Sequence, residues 1–130
     1  MSVAPLLAVR GLRTWFHTRQ GVVKAVDGID LDVLPGECLG VVGESGSGKS
    51  VTFLSVLGLV KPPGRIEEGA VIFGGRDLTK LPANELRALR GRDIAITMQD
   101  ALTALNPALT IGEQIVETIR AHDKAVASAG

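Results

Sequence analysis

The chain has 130 residues, 45% of them hydrophobic, which is the size and apolar content of one ordinary domain or part of one. Fourteen basic side chains balance fourteen acidic ones, so no global field draws it onto a nucleic-acid backbone. Aromatics at 3% with no tyrosine exclude a stacking platform for single strands, and the lone Cys38 excludes an internal disulfide and fits a reducing, cytosolic compartment.

The opening, MSVAPLLAVRGLR, has neither the positive region nor the cleavage pattern of a signal peptide. Its apolar part continues into LLAVRGLRTWF and then, past HTRQG, into GVVKAV, two short strands of an expected antiparallel sheet. DGIDLDV follows as a third, with Ile29, Leu31 and Val33 on one face and Asp30 and Asp32 on the other. LPGE turns the chain. Residues 1–37 thus read as a β-rich opening.

CLGVV, residues 38–42, is a continuous apolar run, the pattern of a strand buried on both faces of a parallel sheet. After the glycine-rich turn, a helix is expected from Ser50 to about Val60, apolar nearly all round and stopped by KPPG. That run, Val51 to Val60, is about half of the ~20 residues needed to span a bilayer, so membrane association is expected only through a partner. GAVIFGGRDL reads as a hairpin around Gly74 and Gly75, LPANELRALRG as a short helix, and DIAITMQ as a second buried strand. DALTALNPAL is a loop. TIGEQIVETIRAH has a capping-box spacing, Thr110 to Glu113, and a stripe of Ile111, Ile115, Val116 and Ile119.

The turn itself, Gly43 to Ser50, reads GESGSGKS and satisfies the phosphate-loop pattern G-x-x-x-x-G-K-[ST]. Gly43, Gly46 and Gly48 let successive backbone N–H groups converge on a polyphosphate, and the following helix contributes its N-terminal N–H groups and dipole. Lys49 is placed to reach the β and γ phosphates and the Ser50 hydroxyl to ligate Mg²⁺. Glu44, Ser45 and Ser47 would serve through backbone N–H groups, with Val51 just behind the loop. A chain with sixteen glycines offers chance matches, but a buried strand before and a helix after argue against one here.

These residues, with the stretches AVDGIDLDVLPGECLGVVGESGSGKSV and IAITMQDALTALNP, resemble the ATP-binding subunit of ABC transporters, in the branch serving dipeptides, oligopeptides and nickel. The resemblance implies an α/β P-loop NTPase fold: the N-terminal part of a nucleotide-binding domain, with an antiparallel β-subdomain and an incomplete RecA-like core over residues 38–130. It implies ATP and Mg²⁺ as ligands, Phe16 (or the adjacent Trp15) as the aromatic stacked on adenine, and Gln99 as the glutamine that contacts Mg²⁺ and the attacking water. The implied partners are transmembrane permease subunits at the cytoplasmic face, a second ATP-binding subunit and, indirectly, a solute-binding protein. A rival reading makes Asp100 the strand-end Mg²⁺ ligand of another P-loop class, but Ala rather than Glu follows it, and the guanine-reading Asn-Lys-x-Asp is absent.

The family's domain continues past this length, with the signature motif, the Walker B Asp, the catalytic Glu and the switch His. None of these is in the chain, and His17 and His122 stand in the wrong contexts to replace the switch. Without a carboxylate base and an opposing signature motif, the chain alone is expected to hydrolyse ATP negligibly, as the front of a longer subunit or as a stand-alone nucleotide-binding module.

Overall fold

The computed structural model describes residues 3–100 and 103–123, which divide into two compact units, Met1–Pro82 and Ala83–Gly130. In the first, strands β1 (Leu7–Thr18) and β2 (Gly21–Val33) form an antiparallel hairpin. Strand β3 (Gly64–Phe73) pairs with the other edge of β1, and the short β4 (Arg76–Asp77) closes the order β2-β1-β3-β4. The expected hairpin at Gly74 and Gly75 is therefore present, as is the antiparallel opening. GVVKAV and DGIDLDV are one strand rather than two: the ladder steps from Asp27 opposite Arg13 to Ile29 opposite Leu12, passing Gly28 without a break in the strand.

The sheet's alternation decides what is buried. Val9, Leu12, Val26 and Val71 are sealed on one side. Arg10–Asp32 and Arg13–Asp27 bridge neighbouring strands through exposed side chains, and such pairs contribute little to stability. Helix α1 (Lys49–Val56) packs on β1 and β2. It stops before the prolines: Gly58 takes φ 62°, its N–H donates to Ser55 O at 3.0 Å, and Leu59 N–H reaches back to Leu54 O at 2.8 Å. A left-handed glycine, not KPPG, ends the helix. Nor is it wholly inside, since Thr52, Ser55 and Val56 are buried while Phe53 is 36% exposed.

Two strand expectations are corrected. Residues 38–42 carry no ladder and are exposed, with Val42 at 95%. In DIAITMQ only an isolated parallel bridge between Arg90 and Ile94 forms, and Met98 is 57% exposed. A run that is apolar on both faces forms a strand only between neighbours that hydrogen-bond its edges, and no strand among the described residues pairs with either segment.

The second unit holds α2 (Ala83–Leu89), the bridge, an irregular stretch and α3 (Ile111–His122). Thr110 caps α3 as its spacing predicts: its hydroxyl accepts from Glu113 N–H, and the Glu113 carboxylate accepts from Thr110 N–H at 2.8 Å. The stripe of Ile111, Ile115, Val116 and Ile119 is present, with each residue between 43% and 63% exposed.

Candidate phosphate-binding site

The loop Gly43–Gly48 leads directly into α1. Gly48 is the N-cap with φ 96° and has no side-chain cap, so the helix's first N–H groups have no side-chain acceptor and no acidic residue in the first turn offsets the dipole. The loop is seated by its glycines. A Cβ on Gly48 would run into the Ala25 carbonyl oxygen of β2, and one on Gly43 would lie 2.7 Å from Ser47 Oγ. Thr52 fastens the other side, its N–H and its hydroxyl both donating to Gly48 O at 2.9 and 2.8 Å.

Lys49 Nζ donates to Gly43 O, to Glu44 O at 2.8 Å and to Ser47 Oγ at 3.1 Å. Its ammonium group therefore lies over the loop that its backbone terminates. Ser47 N–H donates to Glu44 O at 3.2 Å, closing the turn. Ser50 is exposed in the first turn of α1, with Val51 half-buried behind it. A concave run of N–H groups beside an ammonium and a hydroxyl is the chemistry of a polyphosphate site. A hard hydroxyl oxygen beside phosphates also suits Mg²⁺, which takes few protein ligands and keeps several waters. Among the described residues no cluster of three or more His, Cys, Asp or Glu could hold a metal by itself.

The chain matches the ABC transporter family over residues 26–129. It belongs to that family. Dipeptide transport ATP-binding protein DppD of Bacillus subtilis is 43% identical over 120 residues, covering 92% of this chain and 36% of DppD. Oligopeptide transport ATP-binding protein AppD of the same organism is 42% identical over 121 residues, with 92% and 37% covered. A putative peptide import ATP-binding protein of Brucella ovis is 44% identical over 128 residues, with 94% and 38% covered. The chain thus spans little more than a third of the length of these relatives. The ATP-binding cassette MJ0796, solved as a dimer bound to ADP and Pi, superposes with a TM-score of 0.71 at 24% identity, over 88% of this chain and 45% of that one. The fold is accordingly the front portion of an ABC cassette: an antiparallel sheet with helices.

On this ABC segment, Phe16 and Trp15 part company. The Phe16 ring lies against Gly64, where a Cβ would stand 2.5 Å from the ring and 2.8 Å from the Val60 side chain. Its β2 partner is Val23, two residues from the Ala25 that seats Gly48, about 7 Å along the strand. Trp15 pairs with Lys24, whose ammonium lies 4.5 Å from the indole centroid, and the buried Trp15 Nε1 has no hydrogen-bond partner among the described residues. Gln99 and Asp100 are exposed, in the irregular stretch of the second unit. The seat on the Ala25 carbonyl carries no sequence signal, because a backbone oxygen belongs to every residue.

Proposed function

We propose that this chain is the ATP-binding front part of an importer subunit that energises uptake of peptides or related small solutes at the cytoplasmic face of the membrane. The observation that carries it is the loop of Gly43–Ser50, closed by Lys49 and seated on β2, in a chain whose relatives are named for dipeptide and oligopeptide transport. Its N–H groups and Lys49 hold the phosphates, and Ser50 holds Mg²⁺, which neutralises phosphate charge. Phe16 stacks on adenine, since the Trp15 ring already carries the Lys24 ammonium. Gln99 senses the bound metal and orients water, and the segment Gln99–Leu109 faces the permease.

No helix among the described residues is long and apolar enough to cross a membrane. In this reading the permease subunits supply the attachment. A second ATP-binding subunit supplies the opposing half of the nucleotide site, as the dimeric cassette suggests, and a solute-binding protein acts at one remove. Positioning and charge stabilisation are nearly all of phosphoryl transfer, and Lys49 with Gln99 supply only part of them. The chain alone is therefore a nucleotide binder with negligible turnover.

Equilibrium binding of a fluorescent ATP analogue with Mg²⁺, beside Lys49→Ala, tests this. Saturable binding lost in the variant is expected. Binding that is equal in both, or steady turnover abolished by Lys49→Ala, would overturn the respective claim.

A further inference from the structure

In the second unit, helix α3 holds one polar side chain partly out of solvent. Ile111, Ile115, Val116 and Ile119 are exposed, while Gln114 is half-buried. What Gln114 packs against is the preceding loop. Its Oε1 accepts from Asn106 N–H at 2.9 Å, and its Nε2 donates to Asn106 O, Leu109 O and Thr110 O at 3.1, 3.2 and 3.4 Å. Around this clamp the turn is closed again: Ala108 N–H donates to Asn106 Oδ1 at 3.0 Å and Leu109 N–H to Asn106 O at 3.2 Å. Leu105 and Leu109 stay 51% and 42% exposed on it.

We infer that Gln114 is a positioning residue that fixes Asn106–Thr110 in one shape on α3, so that Leu105 and Leu109 are presented to the permease on a preformed turn. This rests on the reading that Gln99–Leu109 faces the permease. A loop ordered only on binding would lose affinity to that ordering. One side chain bonded to three residues of the turn removes the cost beforehand. The amide is required: Glu could still accept from Asn106 N–H but would set a carboxylate oxygen against three carbonyls, leaving acceptors facing acceptors.

The test uses the 130-residue chain with Gln114→Ala and Gln114→Glu, read by amide hydrogen exchange at Asn106, Ala108 and Leu109. It is paired with photo-crosslinking from position 104 to inside-out membrane vesicles of the cell that makes the chain. Both variants are expected to exchange about ten-fold faster or more there at neutral pH, from loss of several hydrogen bonds, with crosslinking to an integral membrane polypeptide falling in step. Gln114→Glu alone should recover, relative to wild type at the same pH, as its carboxyl protonates and donates again; a helix-propensity effect would not. Equal exchange in wild type and Gln114→Ala would overturn the clamp. Faster exchange with unchanged crosslinking would overturn its role in presentation. Altered exchange without crosslinks from any form would overturn the permease-facing reading itself.

Discussion

The Thr14 hydroxyl of β1 and the Ser55 hydroxyl of α1 lie 2.7 Å apart, at 0% and 2% exposure, and form the polar link between the sheet and the helix that begins at the phosphate loop. Ser55 Oγ also donates to Val51 O at 2.6 Å. A hydroxyl has one proton, so Thr14 is the donor of the shared bond and Ser55 its acceptor. The chain of bonds runs from sheet to helix backbone, and it makes the two residues unequal.

Ser55→Ala strands the Thr14 proton in a sealed site and should cost about 1–3 kcal/mol, whereas Thr14→Val leaves Ser55 still donating to Val51 O and should cost about 1 kcal/mol or less. The double variant should be more stable than Ser55→Ala alone. Urea unfolding of the three proteins checks this, and equal costs for the single variants would refute the donor assignment.

Two loop glycines separate conformational from steric need. Gly46 has φ 81° with open space where a Cβ would stand, so Gly46→Ala pays only the left-handed penalty of about 1–2 kcal/mol. Gly48 has φ 96° and the Ala25 carbonyl in that space, so Gly48→Ala must also shift backbone. It should lose nucleotide-analogue binding, while Gly46→Ala weakens it. The ranking is checked by titrating the analogue into both; tighter binding by Gly48→Ala would refute the seat on β2.

What was legible in the sequence follows from how local each signal is. The phosphate loop, the Thr110 cap and the Gly74–Gly75 hairpin are written within a few residues of the structure they make, and all three appear. The runs at 38–42 and 93–99 have strand composition, but a ladder needs a neighbour, and composition cannot supply one. Helix α1 ends at Gly58 because a left-handed glycine satisfies the last carbonyls sooner than the prolines can interrupt. The Gln114 clamp was hidden for a related reason: an amide on a helix says nothing about which loop folds back to meet it.

Acid should loosen the start of α3. The Thr110 N–H, and then its hydroxyl, donate to the Glu113 carboxylate and hold its pKa below the ordinary glutamate value. A depressed folded pKa contributes stability above the unfolded value, and that contribution is lost as pH falls through the folded one. Exchange protection in the first turn of α3 should therefore drop below the ordinary glutamate range in wild type. Glu113→Gln, which still accepts but does not titrate, should show no such drop; matching pH profiles would remove the carboxylate from the cap.

The aromatic assignment can be tested against ring packing. The Phe16 ring lies against Gly64 in the sheet, so Phe16→Ala will disturb the unit whether or not the ring meets adenine, and loss of ATP binding alone would not decide its role. Inorganic tripolyphosphate has the phosphates without the base. If the ring stacks on adenine, Phe16→Ala should lower the ratio of ATP to tripolyphosphate affinity by about ten-fold, the equivalent of 1.4 kcal/mol and within the range of base–aromatic stacking. Trp15→Ala, which removes the indole beneath Lys24, should leave the ratio of the two affinities as in wild type. Calorimetric titration of both ligands gives that ratio directly. If the ratio is unchanged in Phe16→Ala, the ring serves packing alone; if it moves in Trp15→Ala instead, the base lies on the other aromatic.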